Sequence, residues 1–448
     1  AFSDFPFRGL TGSICSHIFR YFYLLKLTIP LLVITSMIQF EKFTLANGLR
    51  VIVHQDLSTP MAVMDIMYDV GARDEDPNRT GFAHLFEHLM FGGSVNIPSY
   101  DEPLQMAGGE NNAYTTNDLT NYYIQLPAEN LETAFWLESD RMLSLAFGDK
   151  SLETQRKVVC EEFKEHYLTK PYGDVWHKMR ELAYKQHPYR WMTIGKELSH
   201  IENAQLEDVK AFFFKHYRPV NAVLVVAGNV TVEKVKVLAE KWFGDISSGE
   251  RYKRNLPQEP EQTEARKLEI KASVPLDALY KTWHIKNRLD RKYYITDLLT
   301  DILSGGGSSR LYQSLVKEKQ LFSNIECYHF GSTENGLLSI EGKLVKGVKI
   351  DDAEKAVEQE LDKMKTELVP EAELQKVKNK TESMIAFEDM SVMNRANSLA
   401  YYETLGDAAW MNYELQKYGT VTSEDILQES RNIFRAENSN TIYYLSDN

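Results

Sequence analysis

Gly81-Phe82-Ala83-His84-Leu85-Phe86-Glu87-His88-Leu89-Met90 reads as a buried helix with one polar stripe, preceded by Thr80 and ended by Gly92-Gly93. His84 and His88 stand four residues apart, so a helix puts both imidazoles on one face, one turn apart. Zinc takes ligand atoms at about 2.0–2.1 Å in a tetrahedral array, and such a histidine pair supplies two of them. Glu87 lies three residues after His84 on the same flank, within reach of a water at the metal without filling a coordination position. A lone histidine on an apolar face is ordinarily a core residue satisfied by a hydrogen bond. Two histidines and a glutamate sharing one stripe of an apolar helix are costly to bury without a further partner.

Around this helix the chain is of ordinary globular composition. It has 448 residues, 43% hydrophobic and 26% charged, enough for two or more domains with sizeable cores. A net charge of −13, with no basic cluster interleaved with aromatics, speaks against nucleic-acid binding. Cys15, Cys160 and Cys327 are far apart and form no C-x-x-C pair, so they read as reduced thiols rather than a disulfide framework or a cysteine zinc site. The first 36 residues differ in character. Arg8, Arg20 and Lys26 outnumber Asp4, and an apolar run follows from Leu27 to Ile38. This resembles a signal peptide or anchor, although it is short for a membrane span and lacks a small-x-small cleavage site. The alternative is a true start at Met37. That start implies a cytoplasmic protein; the upstream run implies a periplasmic one, or membrane anchoring through residues 20–38.

The patterning predicts an α+β protein of two related halves, each an antiparallel or mixed sheet packed with helices. Strands are expected at Phe40–Leu45, Leu49–His54 and Ala62–Val70, with Asn47-Gly48 as a hairpin turn. Two more follow the motif helix, and Ala222–Ala227 is an apolar β-rich run. Residues 247–267, rich in Pro, Glu, Arg and Gln, read as a linker. After it the layout repeats: strands, a helix at Tyr293–Leu303 ended by Gly305-Gly306-Gly307, two strands, helices, and a last strand. The expected division is an extension at 1–37, a zinc-bearing half at 38–246, the linker, and a metal-free half at 268–448. Asp297, Thr300 and Asp301 stand in the second half where His84, Glu87 and His88 stand in the first.

A catalytic zinc needs a third protein ligand and one open position. The segment Leu152–Glu165 carries Glu161, Glu162 and Glu165, and on spacing alone a solvated charged face is its better reading. Here a resemblance adds what spacing does not. His84-Leu-Phe-Glu-His88 is the H-x-x-E-H arrangement of the inverzincins. Asn47-Gly-Leu-Arg-Val51, Gly71-Ala-Arg73, Gly108-Gly-Glu-Asn-Asn-Ala113, Arg156-Lys-Val-Val-Cys-Glu-Glu162, Tyr217-Arg-Pro219 and Ser304-Gly-Gly-Gly-Ser-Ser-Arg-Leu-Tyr312 accompany it. Together they span both halves, and Phe40–Leu445 resembles the pitrilysin/insulinase family of zinc peptidases, in the branch of the mitochondrial processing peptidase and its bacterial relatives. The resemblance implies one Zn2+ per chain on His84, His88 and Glu162, with Glu87 as general base. The family often has a glutamate seven residues before the third ligand. Gln155 stands there in this chain, and Gln155, Glu161 and Glu165 are the candidate supporting residues behind the ligands.

For substrate binding, Asn112, Ala113, Tyr114 and Thr115 form a polar, small-residue segment. It reads either as an ordinary edge strand or as one that pairs with an extended peptide through main-chain hydrogen bonds. The resemblance implies the second role and a chamber that takes peptides or unfolded segments. It also implies an Arg/Tyr pair that helps bind substrate and stabilise the oxyanion. Lys317 and Phe322 or Ser323 occupy those places, so the pair is absent. The expectation is a zinc endopeptidase that is the catalytic chain of a heterodimer with a homologous partner supplying Arg and Tyr, or otherwise a homodimer. The competing reading is a non-catalytic core subunit of the same fold, against which the full His84, Glu87, His88 and Glu162 set speaks.

Overall fold

The computed structural model describes residues 37–146 and 148–447, so the signal or anchor considered for the first 36 residues lies outside it. Among the described residues no helix is long and apolar enough to cross a membrane. The first sheet has six strands: β1 (Glu41–Thr44), β2 (Arg50–Gln55), β3 (Met61–Tyr68), β4 (Glu110–Thr115), β5 (Thr120–Pro127) and β6 (Ala222–Gly228), in the spatial order β1-β2-β6-β3-β5-β4. β1 and β2 form the expected hairpin. Gly48 takes the left-handed conformation at the turn (φ +88°), and the Asn47 side chain donates to the carbonyls of Phe243 (2.7 Å) and Ile246 (3.0 Å).

The second sheet has five strands: β7 (Arg266–Ala272), β8 (Ala278–His284), β9 (Phe322–Phe330), β10 (Leu337–Leu344) and β11 (Ser439–Ser446), ordered β7-β11-β8-β10-β9. Strand for strand this repeats β2-β6-β3-β5-β4. In each sheet the opening strand runs parallel to the closing one and the other pairs are antiparallel. β1 is the addition in the first half.

Five helices matter to the site: α1 (Phe82–Met90), α2 (Asp149–Phe163), α3 (Val175–Ala183), α4 (Arg291–Ser304) and α5 (Val392–Leu405). α1 follows β3 as α4 follows β8, so the two are equivalent positions of the repeat. The halves also exchange helices. α3 belongs to the first half in sequence, yet its Val175 and Met179 pack with Ala278, Tyr280, Ile442 and Tyr444 of the second sheet. α5 comes from the second half and packs on β3 and β6 of the first. All seven residues of β6 are therefore buried, which is why that strand reads as an unbroken apolar run rather than an alternating one. From α5, Asn397 donates to the Tyr114 hydroxyl at 2.8 Å, tying the helix to β4.

The stretch between the sheets is irregular but held. Arg254 pairs with Asp69 and Asp74, each at 2.7 Å, and Glu259 accepts from the backbone N–H groups of Lys185, Gln186 and His187 at 2.8–2.9 Å. The β9–β10 turn grips the first half as well: Thr333 N–H donates to Asp118 and Glu334 N–H to the Tyr189 hydroxyl. The stretch read as a linker at 247–267 is thus anchored along its length. Met179→Ala, which empties a buried site under an exchanged helix, is expected to destabilise the protein by about 2–5 kcal/mol. Equilibrium denaturant unfolding checks this.

Candidate metal centre

Helix α1 begins at Gly81 in the left-handed conformation (φ +89°). A Cβ there would stand 2.5 Å from the Ile201 side chain and 2.6 Å from the Ile194 carbonyl oxygen, so only glycine fits. Phe82, Ala83, Leu85, Phe86, Leu89 and Met90 are buried. Phe86 anchors the helix against Phe213 and Tyr217, with ring centroids 5.6 and 4.3 Å away. These contacts leave His84, Glu87 and His88 as the partly accessible stripe.

Helix α2 brings Glu162 to that stripe. Its Oε2 lies 3.5 Å from His88 Nε2 and 3.9 Å from His84 Nε2. One ligand atom from each of His84, His88 and Glu162 falls within a 4.8 Å span, and among the described residues this is the only group of three or more His, Cys, Asp or Glu so disposed. Burial pushes His84 down to about 4, with His88 adding to the shift. Burial also lowers His88, against opposing contributions from Glu162 and a hydrogen bond with Gln155. Both imidazoles are thus neutral near pH 7, the form that binds a metal. Glu162 Oε2 and His84 Nδ1 are buried without a hydrogen-bond partner. A carboxylate oxygen left bare between two neutral rings fits a cation at their common focus.

Glu87 stands beside this set and not in it. Thr115 of β4 donates its hydroxyl to Glu87 Oε2. Burial raises the Glu87 pKa, the Thr115 hydrogen bond opposes that rise, and Glu162 adds to it. β4 is the edge strand of the first sheet, and it pairs with β5 on one side only. Asn112 and Ala113 thus lie on an open edge, while Tyr114 and Thr115 are engaged by Asn397 and Glu87.

Of the supporting residues expected from sequence, Gln155 reaches His88. Glu161 and Glu165 do not stand behind the ligands. Glu161 is 74% exposed and pairs with Lys164 at 2.8 Å, because it points a helical step away from Glu162. Glu165 is exposed in the π-helical turn Lys164–Thr169 that follows α2. In the second half, Asp297 is taken up by His329 (3.0 Å) and Tyr418 (2.6 Å), and Asp301 by Lys380 (2.7 Å). Phe322 is buried in the second core, Ser323 donates to the Lys343 carbonyl, and Lys317 is exposed. One contributor that the sequence reading overlooked is Glu75, whose carboxylate accepts from the backbone at the start of α1.

Residues 50–195 match the family model described as "Insulinase (Peptidase family M16)", and residues 203–381 match "Peptidase M16 inactive domain". The chain belongs to peptidase family M16. The "inactive" match covers α4, where Asp297, Thr300 and Asp301 stand. Among relatives, "Zinc protease PqqE" of Helicobacter pylori is 28% identical over 409 residues, covering 90% of this chain and 92% of that protein. The mitochondrial-processing peptidase subunit beta of Saccharomyces cerevisiae is 30% identical over 209 residues, 46% of this chain and 45% of that protein. Among solved structures, a protease from Helicobacter pylori superposes with a TM-score of 0.85 at 27% identity, over 91% of this chain and 99% of that one. A "peptidase M16 inactive domain" from Pseudomonas fluorescens has a TM-score of 0.80 at 16% identity, over 92% of this chain and 98% of that one, and shares the fold.

Proposed function

We propose that this M16 chain is a zinc-dependent endopeptidase in which His84, His88 and Glu162 hold the ion and Glu87 is the general base. The observation that carries the reading is the convergence of two neutral imidazoles on an unpartnered, buried carboxylate oxygen. When bound, zinc supplies Lewis-acid chemistry, polarising a carbonyl and making a water more acidic. Glu87 accepts the proton that the attacking water gives up as its oxygen bonds to the scissile carbon. As the C–N bond breaks, Glu87 delivers that proton to the leaving nitrogen. The upward push of burial on its pKa is the direction a base working near neutral pH needs. Thr115 orients the carboxylate and joins it to β4, so the strand that aligns substrate and the group that moves the proton are one hydrogen bond apart.

The open edge of β4 at Asn112–Thr115 is suited to a peptide added as a further strand through main-chain hydrogen bonds, which reads backbone more than side chain. Peptides and unfolded segments are the substrates this implies. The chain carries Lys317, Phe322 and Ser323 in place of an Arg/Tyr pair, and a buried phenyl ring donates no hydrogen bond to a developing oxyanion. A homologous chain that supplies those donors completes the proposal; a homodimer is the alternative.

Glu162→Gln is expected to lose zinc and Glu161→Gln to keep it, as read by metal analysis of the purified proteins; the reverse result would remove Glu162 from the ligand set. Glu87→Gln is expected to retain zinc while turnover on an unfolded peptide drops by about 10²–10⁴-fold. An unchanged rate would exclude Glu87 as the base. The isolated chain is expected to cleave poorly and to gain activity as a homologous chain bearing Arg and Tyr is titrated in. Full activity of the isolated chain would contradict the two-chain proposal.

A further inference from the structure

We propose that Glu75 is a positioning residue for the metal centre: from the turn after β3, its carboxylate caps the N-terminus of α1 and fixes the turn that carries His84. The inference rests on the reading of His84 as a ligand. A helix start leaves backbone N–H groups without intrahelical partners, and a residue at the N-cap ordinarily satisfies one of them with its side chain. Here the N-cap is Gly81, which has no side chain and which the Ile201 and Ile194 contacts do not allow to be replaced. Glu75, six residues earlier, does the work from outside the helix. Its Oε2 accepts from Gly81 N–H at 2.9 Å, and its Oε1 accepts from Ala83 N–H at 2.8 Å.

The Trp191 indole N–H adds a third donor to Glu75 Oε2 at 3.1 Å, and it also donates to the Ala72 carbonyl at 3.0 Å. Trp191 is fully buried, so this donor is rigidly placed. Glu75 is itself buried and forms no ion pair among the described residues. Burial pushes its pKa up to about 8, against the lowering effect of the Ala83, Gly81 and Trp191 hydrogen bonds, and nearby Asp74 adds to the rise. What faces it instead is the positive end of α1 together with three N–H donors, the arrangement that holds a carboxylate at a helix N-terminus. The neighbouring chain is equally constrained: the Thr80 hydroxyl accepts from Lys196 N–H at 2.7 Å and meets His200 Nδ1 at 2.8 Å.

The consequence for the site is directional. His84 follows Ala83 directly and lies in the first turn of α1, whereas His88 lies one turn further in and is held by the body of the helix. Loss of the cap frees the first turn and displaces His84 relative to His88 and Glu162. A glutamine at position 75 presents one oxygen and one NH2 where two acceptors are needed, so one helix N–H then meets a donor. An aspartate keeps the charge but is a methylene short.

The experiment measures zinc affinity of metal-free wild type, Glu75→Gln and Glu75→Asp by competition with a chromophoric chelator. It also measures kcat and KM on a peptide at saturating zinc, and thermal melting of the metal-free proteins. Glu75→Gln is expected to bind zinc about 10- to 100-fold more weakly. Its kcat is expected to fall while KM stays within about twofold, since the substrate strand β4 is untouched. Glu75→Asp is expected to fall between the two, and it serves as the test should Glu75→Gln fail to fold. Wild-type affinity and kcat in a folded variant, beside a wild type that binds zinc, would overturn this inference alone. A wild type that binds no zinc would overturn the reading of His84 on which it rests, and this inference with it.

Discussion

A helix that is apolar on nearly every side and yet carries two imidazoles and a carboxylate on one stripe sets the terms for the rest of this fold. Ionisable groups drawn from water cost several kcal/mol each unless partners meet them. Each partner here comes from a different element. α2 brings Glu162 to the two rings, β4 brings Thr115 to Glu87, and the turn after β3 brings Glu75 to the helix start. One oxygen of Glu162 and one nitrogen of His84 remain bare. The bare Glu162 oxygen faces Nε2 of both rings, and on it rests the proposal that the cluster holds a metal.

The exchanged helices tie the two halves to each other around a site that lies in the first. α3 covers the open face of the second sheet and α5 that of the first, so each sheet is buried on a side its own helices do not reach. Through Asn397, α5 also touches Tyr114 on the edge strand beside Glu87. The same repeat that carries the site in one half carries its counterpart in the other. There Asp297 is hydrogen-bonded by His329 and Tyr418 and Asp301 pairs with Lys380, and among the described residues no group of three metal-ligating side chains forms. Both halves place a helix at this point of the repeat, and the side chains on the two helices differ.

Much of this was legible from the order of residues. The motif helix, the Asn47-Gly48 hairpin and the strands of both sheets follow from local periodicity and turn chemistry, and the structure has them within a few residues. One helical step separates the exposed Glu161 from the less exposed Glu162. Spacing alone did not tell which was which; the resemblance did. α3 went unread although Val175, Trp176, Met179, Leu182 and Ala183 fall at helical spacing, because nine residues between irregular segments are a weak signal. The exchange of helices, the anchored stretch at 247–265 and the cap from Glu75 depend on contacts between distant elements. Glu165 was misjudged because α2 gives way to a π-helical turn after Phe163, which rotates the next residues off the α-helical register.

The central claim is that two imidazoles and one carboxylate of this chain form a zinc site with room for one further ligand. X-ray absorption at the zinc edge of the zinc-loaded full chain tests it most directly. The account predicts a shell of about four light-atom donors at ~2.0–2.2 Å with the multiple-scattering signature of two imidazoles. A sulfur shell near ~2.3 Å, or an all-oxygen shell without imidazole scattering, would contradict it.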